Sequence, residues 1–121
     1  MSRLTALEAA IQAYLDTMYD GDLARFDQVF HPTAQLHGWR EGKAICWPLA
    51  QYRELTAGRP SAKASGAQRE EAILSLDLAS DRSAIAKVRV RMGKMVFVDY
   101  LIFALLDGRW QITAKQFEPD A

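Results

Sequence analysis

The chain has no asparagine and only one cysteine, Cys46. The first absence removes every acceptor for N-linked glycosylation. The second rules out an intrachain disulfide and leaves a cysteine-based zinc site without ligands. Cys46 itself then reads as a small buried hydrophobe. Charge of one sign is also missing: fifteen basic residues meet fifteen acidic ones, for a net charge of zero. That balance argues against a strongly basic nucleic-acid binder. The longest apolar run, Tyr100 to Leu106, stops after seven residues, far short of a membrane span. The opening Met-Ser-Arg-Leu-Thr-Ala-Leu-Glu has no signal-peptide core, so a reducing cytoplasm is the expected compartment. Gly-x-Gly-x-x-Gly, the P-loop lysine motif, Gly-x-Ser-x-Gly and His-Glu-x-x-His are all absent. Nucleotide, serine-hydrolase and zinc-peptidase chemistry lose their main support, and a pocket without a cofactor is expected.

What is present is an ordinary globular composition, half hydrophobic and a quarter charged, over 121 residues. That length suits one domain, expected to run over 1–121, with a core that needs no staples. Leu4, Leu7, Ile11, Tyr14, Leu15 and Met18 recur at helical spacing and predict an amphipathic helix. Gly21 suits its close, and Asp22 suits the cap of a second, shorter helix burying Leu23, Phe26, Val29 and Phe30. His31-Pro32 ends that helix, because the residue before a proline avoids helical geometry. Thr33 to Trp39 predicts a short strand, and Pro48 the first turn of a third helix to about Thr56.

Residues 57–68 form one loop-like stretch. Beyond it the period changes to two. Ala72, Leu74, Leu76 and Leu78 alternate with Ile73, Ser75, Asp77 and Ala79, and Ala84 to Met92 alternates in the same way. Met95 to Leu105 is apolar on both faces and is expected at the centre of a sheet. Asp107-Gly108 is a hairpin signal, and Arg109 to Phe117 a last strand. On that alternation Trp110, Ile112 and Ala114 share the face toward the helices. Helices first and a meander of strands afterwards give an α+β architecture. A curved sheet partly covered by helices leaves an apolar cavity between the layers.

Two segments carry a family resemblance. Tyr14-Leu-Asp-Thr-Met-Tyr-Asp-Gly21-Asp22, followed by Phe30-His31-Pro32-Thr-Ala34, resembles the opening of nuclear transport factor 2-like domains. Asp99-Tyr-Leu-Ile-Phe-Ala-Leu-Leu-Asp107-Gly108-Arg109-Trp110-Gln-Ile112 resembles their closing hairpin. Within that superfamily the chain is most similar to small bacterial lumazine-binding-type proteins, close to the SnoaL-like polyketide cyclases. The resemblance implies a cone-shaped, cystatin-like antiparallel sheet wrapped around N-terminal helices, commonly dimeric. It does not imply one activity, since isomerases, dehydratases, cyclases and binding proteins share the scaffold. Ketosteroid isomerases of this fold use an aspartate base, with a tyrosine and a protonated aspartic acid holding the enolate oxygen. Matching the landmarks puts Tyr14 at the tyrosine and Asp99 at the protonated acid. The base position falls on Gly38, which cannot abstract a proton, so an isomerase of that kind is not expected.

The residues weigh the same way. Asp99 interrupts an apolar strand, where a buried charge is costly unless paired or neutralised. It is either a pocket acid with a raised pKa or a structural carboxylate paired with an arginine. Tyr14 lies on the apolar stripe of the first helix, as packing or as a hydrogen-bonding anchor beside Asp99. His37, next to Gly38, is the candidate base with a near-neutral pKa, although strand alternation turns it outward if position 38 faces in. Trp39 and Trp47 flank the expected mouth, and Phe30 and Trp110 are further candidates to contact a ligand. His31 and His37 lack a carboxylate at ligand spacing, so no metal is expected. Lys87, Arg89 and Arg91 line one strand face, expected to meet Asp77 and Glu71 across the sheet or a second copy of the chain.

Three functions stay open. One is a small-molecule binding protein with an apolar or aromatic ligand, anchored by Tyr14 and Asp99. Another is a cofactor-independent isomerase, cyclase or dehydratase with His37 as base. The third is a structural or interaction module whose cavity is filled. A homodimer through the outer sheet face, where Ile73 and Ile85 leave apolar surface, is expected in each.

Overall fold

The computed structural model describes residues 3–120. Helix α1 (Arg3–Asp20) buries Leu7, Ile11, Tyr14, Leu15 and Met18 of the stripe its spacing predicts, while Leu4 at its start stays exposed. Each large apolar side chain so buried contributes roughly 1.5–3 kcal/mol. Gly21 closes α1 at φ +68°, a left-handed conformation that costs glycine nothing. Asp22 then caps α2 (Leu23–Val29), its carboxylate accepting from the amides of Ala24 and Arg25 at 3.0 and 3.2 Å.

Six strands follow in one sheet of order β2-β1-β6-β5-β4-β3. They are β1 (Phe30–Arg40), β2 (Lys43–Pro48), β3 (Glu71–Ser80), β4 (Ser83–Met92), β5 (Met95–Leu106) and β6 (Arg109–Pro119). Helix α3 (Leu49–Gly58) leaves β2 directly, with Pro48 at its N-cap. Strand β2 was not expected. It is a short, half-exposed edge strand turned back through Glu41-Gly42, both at positive φ. Neighbouring strands pair antiparallel except β1 and β6, which run parallel and close the first half of the chain onto the last. The Asp107-Gly108 turn has both residues at positive φ, as a two-residue hairpin of this type demands.

The helices cover the concave face of this α+β sheet, against Ala84, Ala86, Val88 and Val90 of β4 and Leu101 and Phe103 of β5. Two bulges change which residues reach that face. In β5–β6, Phe103 pairs with Ile112 but Ile102 with Ala114, so Thr113 is the extra residue. The alternation changes phase there. Lys115 and Phe117 therefore join the inner set with Ile112, while Ala114 leaves it, contrary to strict alternation. In β3–β4 the pairing skips Leu74, which puts Ile73 opposite buried Val88 on the concave side. Ile73 therefore does not share the outer face with Ile85. That face carries Ile85, Tyr100 and Ile102 instead, the last two 38% and 39% exposed.

The basic face is also partnered differently from the expectation. Arg89 meets Asp120 at 2.8 Å and Arg91 meets Glu70 at 3.0 Å, while Lys87 lies over the Tyr100 ring. Asp77 faces Ile85, and Glu71 is taken by Arg69. No helix among the described residues is long and apolar enough to cross a membrane.

Candidate functional site

Five elements converge where the C-terminal turn of α1, helix α3 and the far ends of β4, β5 and β6 meet. Between them lies a cavity of about 140 Å³. Its floor is made of buried side chains: Met18, Tyr52, Val90, Asp99, Lys115 and Phe117. Arg40 at the end of β1 and Arg59 just past α3 also line it and are exposed, so they mark the mouth.

Asp99 is 1% exposed, on the inner face of β5 between Val88 and Phe117. Tyr14 donates to its Oδ2 at 2.5 Å, and the Lys115 Nζ stands 3.7 Å from the same oxygen. The other oxygen, Oδ1, is buried and has no hydrogen-bond partner. Partnerless buried acceptors are uncommon, since each forfeits its interaction with water. Lys115 supplies the counter-charge that a buried carboxylate requires, in place of the expected arginine. Its ammonium also donates to the Tyr52 hydroxyl at 3.4 Å, and that hydroxyl donates to Met18 Sδ at 3.2 Å. The rings of Tyr14, Tyr52 and Phe117 stand 5.2, 5.0 and 5.9 Å from the ammonium. Such faces attract a cation most strongly where water is excluded.

These neighbours set the protonation states. Burial pushes the Tyr14 phenol well above its usual value, and the Asp99 charge pushes it further, so Tyr14 remains a donor. Burial pulls the Lys115 ammonium down, but Asp99 and Tyr52 outweigh it and hold the group above its usual value. Lys115 is therefore a cation and a hydrogen-bond donor here, not a free amine.

Of the residues singled out from sequence, Asp99 and Trp47 line this cavity, and Tyr14 stands behind Asp99, bonded to it without lining the space. Trp47 lines the wall, stacked at 5.8 Å on both Tyr52 and Phe117. Phe30 lies behind it, fully buried, with its ring 6.0 Å from Tyr14 and 6.1 Å from Tyr52. It holds the two tyrosines and does not line the space. Trp110 is buried in the core closer to the hairpin turn. Gly38 faces inward, so His37 and Trp39 on either side of it point outward. Trp39 is 47% exposed, and the His37 Nε2 is 3.2 Å from Cys46 Sγ. The structure thus does not bring His37 to the cavity, and Cys46 is exposed rather than buried. His31 bonds to Thr33 through Nδ1. Among the described residues no cluster of three or more His, Cys, Asp or Glu could hold a metal.

Gly38 explains why no base stands at its position. A Cβ built there would collide with the ring and carbonyl of Phe117. The residues that the sequence reading missed are Lys115, Tyr52, Met18, Arg40, Arg59 and Phe117. Phe117 was the available signal for Lys115: the two share a face at spacing two, and an aromatic residue near the chain end argues for an inward side.

A curved six-stranded sheet, antiparallel but for one parallel pair and wrapped on N-terminal helices, is the architecture of the nuclear transport factor 2-like, cystatin-like class. The chain belongs to the family described as "Putative lumazine-binding", whose model matches residues 2–118. It is 25% identical over 118 residues to the aldolase FrzH of Cladobotryum sp., covering 96% of this chain and 90% of that protein. Among solved structures it is similar to a nuclear transport factor 2-like protein of Silicibacter pomeroyi DSS-3. That likeness has TM-score 0.82 and 22% identity, over 97% of this chain and 95% of that one. It is also similar to a ketosteroid isomerase-like protein of Erwinia carotovora atroseptica SCRI1043, with TM-score 0.77 and 13% identity, over 99% and 98%.

Proposed function

We propose that the protein binds a small molecule in this cavity, without a cofactor, through Asp99 and Lys115. The observation that carries the reading is that Asp99 lines the open space and its Oδ1 is a buried acceptor without a hydrogen-bond partner. A ligand hydroxyl or N–H would satisfy it, and a ligand acceptor would face the Lys115 ammonium. The volume of about 140 Å³ matches one ring, since engineered cavities of about 150 Å³ take up benzene. Larger ligands must extend through the mouth. Trp47, in the wall, makes intrinsic fluorescence a direct reporter. Single-ring phenols and enols should quench it and raise Tm, and Asp99→Asn and Lys115→Met should weaken both effects. A panel that gives neither signal would return the chain to a structural module.

A second reading is favoured by the same free oxygen beside an ammonium, and by the likeness to a protein named an aldolase. Here Asp99 Oδ1, rather than His37, takes a proton from carbon next to a ligand carbonyl. The enolate oxygen gathers its charge against Lys115, and the proton returns from Asp99 to carbon or oxygen. Deuterium exchange at that carbon, followed by NMR, tests this reading directly. Exchange no faster than in Asp99→Asn would leave binding alone.

In either reading we take the protein to act as a homodimer in a reducing cytoplasm. Ile85, Tyr100 and Ile102 on the outer sheet face are the apolar surface that a second copy would cover.

A further inference from the structure

We infer that the ligand of this cavity is an organic anion, its charged group held by Arg40 and Arg59 at the mouth and its body directed toward Asp99. The inference rests on the cavity being a ligand site and adds the class of ligand. Its first support is a charge imbalance. The lining carries three cationic side chains, Arg40, Arg59 and Lys115, against one acid, Asp99. The whole chain has a net charge of zero, so the excess is local.

The second support is a contrast with five of the other arginines, Arg82 and Arg109 at the hairpin turns not being among them. Arg25, Arg53, Arg69, Arg89 and Arg91 each meet a carboxylate within 3.0 Å. Arg40 and Arg59 have no ion pair among the described residues. Both also line a second recess with Glu54, Leu55 and Gly58, so the two side chains are common to both hollows. Glu54 is the one acid there, and it leaves the mouth cationic.

The third support is reach. The Arg59 charge works against proton binding at both Tyr14 and Lys115, so its field extends to the cavity floor. Lys115 is already matched by Asp99. The unbalanced positive charge is therefore that of the two arginines. Guanidinium groups suit planar or tetrahedral oxyanions, which accept paired N–H bonds from their fixed fork. A carboxylate and a phosphate share that chemistry. A hydroxyl or N–H at the opposite end would meet Asp99 Oδ1.

The test uses three matched probes on the full chain: 4-hydroxybenzoate, neutral 4-hydroxybenzamide and 4-hydroxyphenyl phosphate. Each is titrated by Trp47 fluorescence and NMR against wild type, Arg40→Gln, Arg59→Gln and the double variant. Both arginines are exposed and unpaired, so Tm should hold in all three variants. One or both anions should bind about tenfold or more tighter than the amide at low salt. The preferred anion distinguishes carboxylate from phosphate. The double variant should abolish that preference and leave amide affinity unchanged. Equal affinity for all three probes, or a preference that survives in the double variant, would overturn the inference while the cavity remains a binding site. No binding by any probe would overturn the inference and the cavity reading together.

Discussion

The Phe117 ring lies on the face of Gly38, where any side chain on strand β1 would collide with it. The glycine is there because β1 and β6 approach through this contact.

Gly38→Ala should therefore destabilise the fold by about 1–3 kcal/mol, the usual cost of overpacking. Phe117→Ala should make room, so the double variant should be less destabilised than the two losses added together. Urea unfolding of the four chains measures the coupling. Simple additivity would mean that Phe117 does not set the glycine.

Removing the Lys115 ammonium leaves a buried carboxylate without counter-charge. Lys115→Met should cost about 3–5 kcal/mol. Asp99→Asn in the same chain should recover a large part of that loss, since the uncompensated charge is then gone. A Lys115→Met variant as stable as wild type would show that the pair carries little folding energy.

Alkaline pH should unfold the protein, with a definite sign. Tyr14 and Lys115 both hold their protons more tightly folded than unfolded. Their contributions are complete below the ordinary values of 10.0 and 10.5 and are lost as pH rises through the folded values. In that range the unfolded chain binds fewer protons than the folded one, so stability falls with pH. Tyr14→Phe should lower stability at neutral pH by about 1.5–3 kcal/mol, as for a hydrogen bond to a charged group. It should also flatten the fall above pH 10. Parallel curves for wild type and Tyr14→Phe would remove Tyr14 from the linkage.

On the outer face, Ile102→Glu should halve the mass in sedimentation while Tm of the isolated subunit changes little. A wild-type chain that sediments as a monomer at high micromolar concentration would dispose of the dimer.

Most of the fold was legible because its signals are periodic. The α1 stripe, the Asp22 cap, the Asp107-Gly108 turn and strands β3 to β6 all follow from local spacing. Strand β2 was not legible, since Lys43 to Pro48 has neither clear alternation nor strong flanking turns. The parallel β1–β6 pairing joins segments far apart in sequence, and nothing local encodes it. Asp99 and Tyr14 stood out as a charge in an apolar strand and a phenol on an apolar stripe. Lys115 did not, because alternation counted from Trp110 runs through the bulge as though Thr113 were an ordinary residue. Arg40 and Arg59 lie at the ends of elements, where spacing says nothing about which side chains will meet.

The irregular pairing at Thr113 in β6 is what places the Lys115 ammonium on the floor of the cavity beside Asp99. Were Thr113 paired as an ordinary residue, the pleat would run in step from Trp110, and Lys115 would trade its seat with Gln116, a neighbour facing solvent. The character of the chamber is thus set by how one residue is left out of the pairing as much as by residue identity.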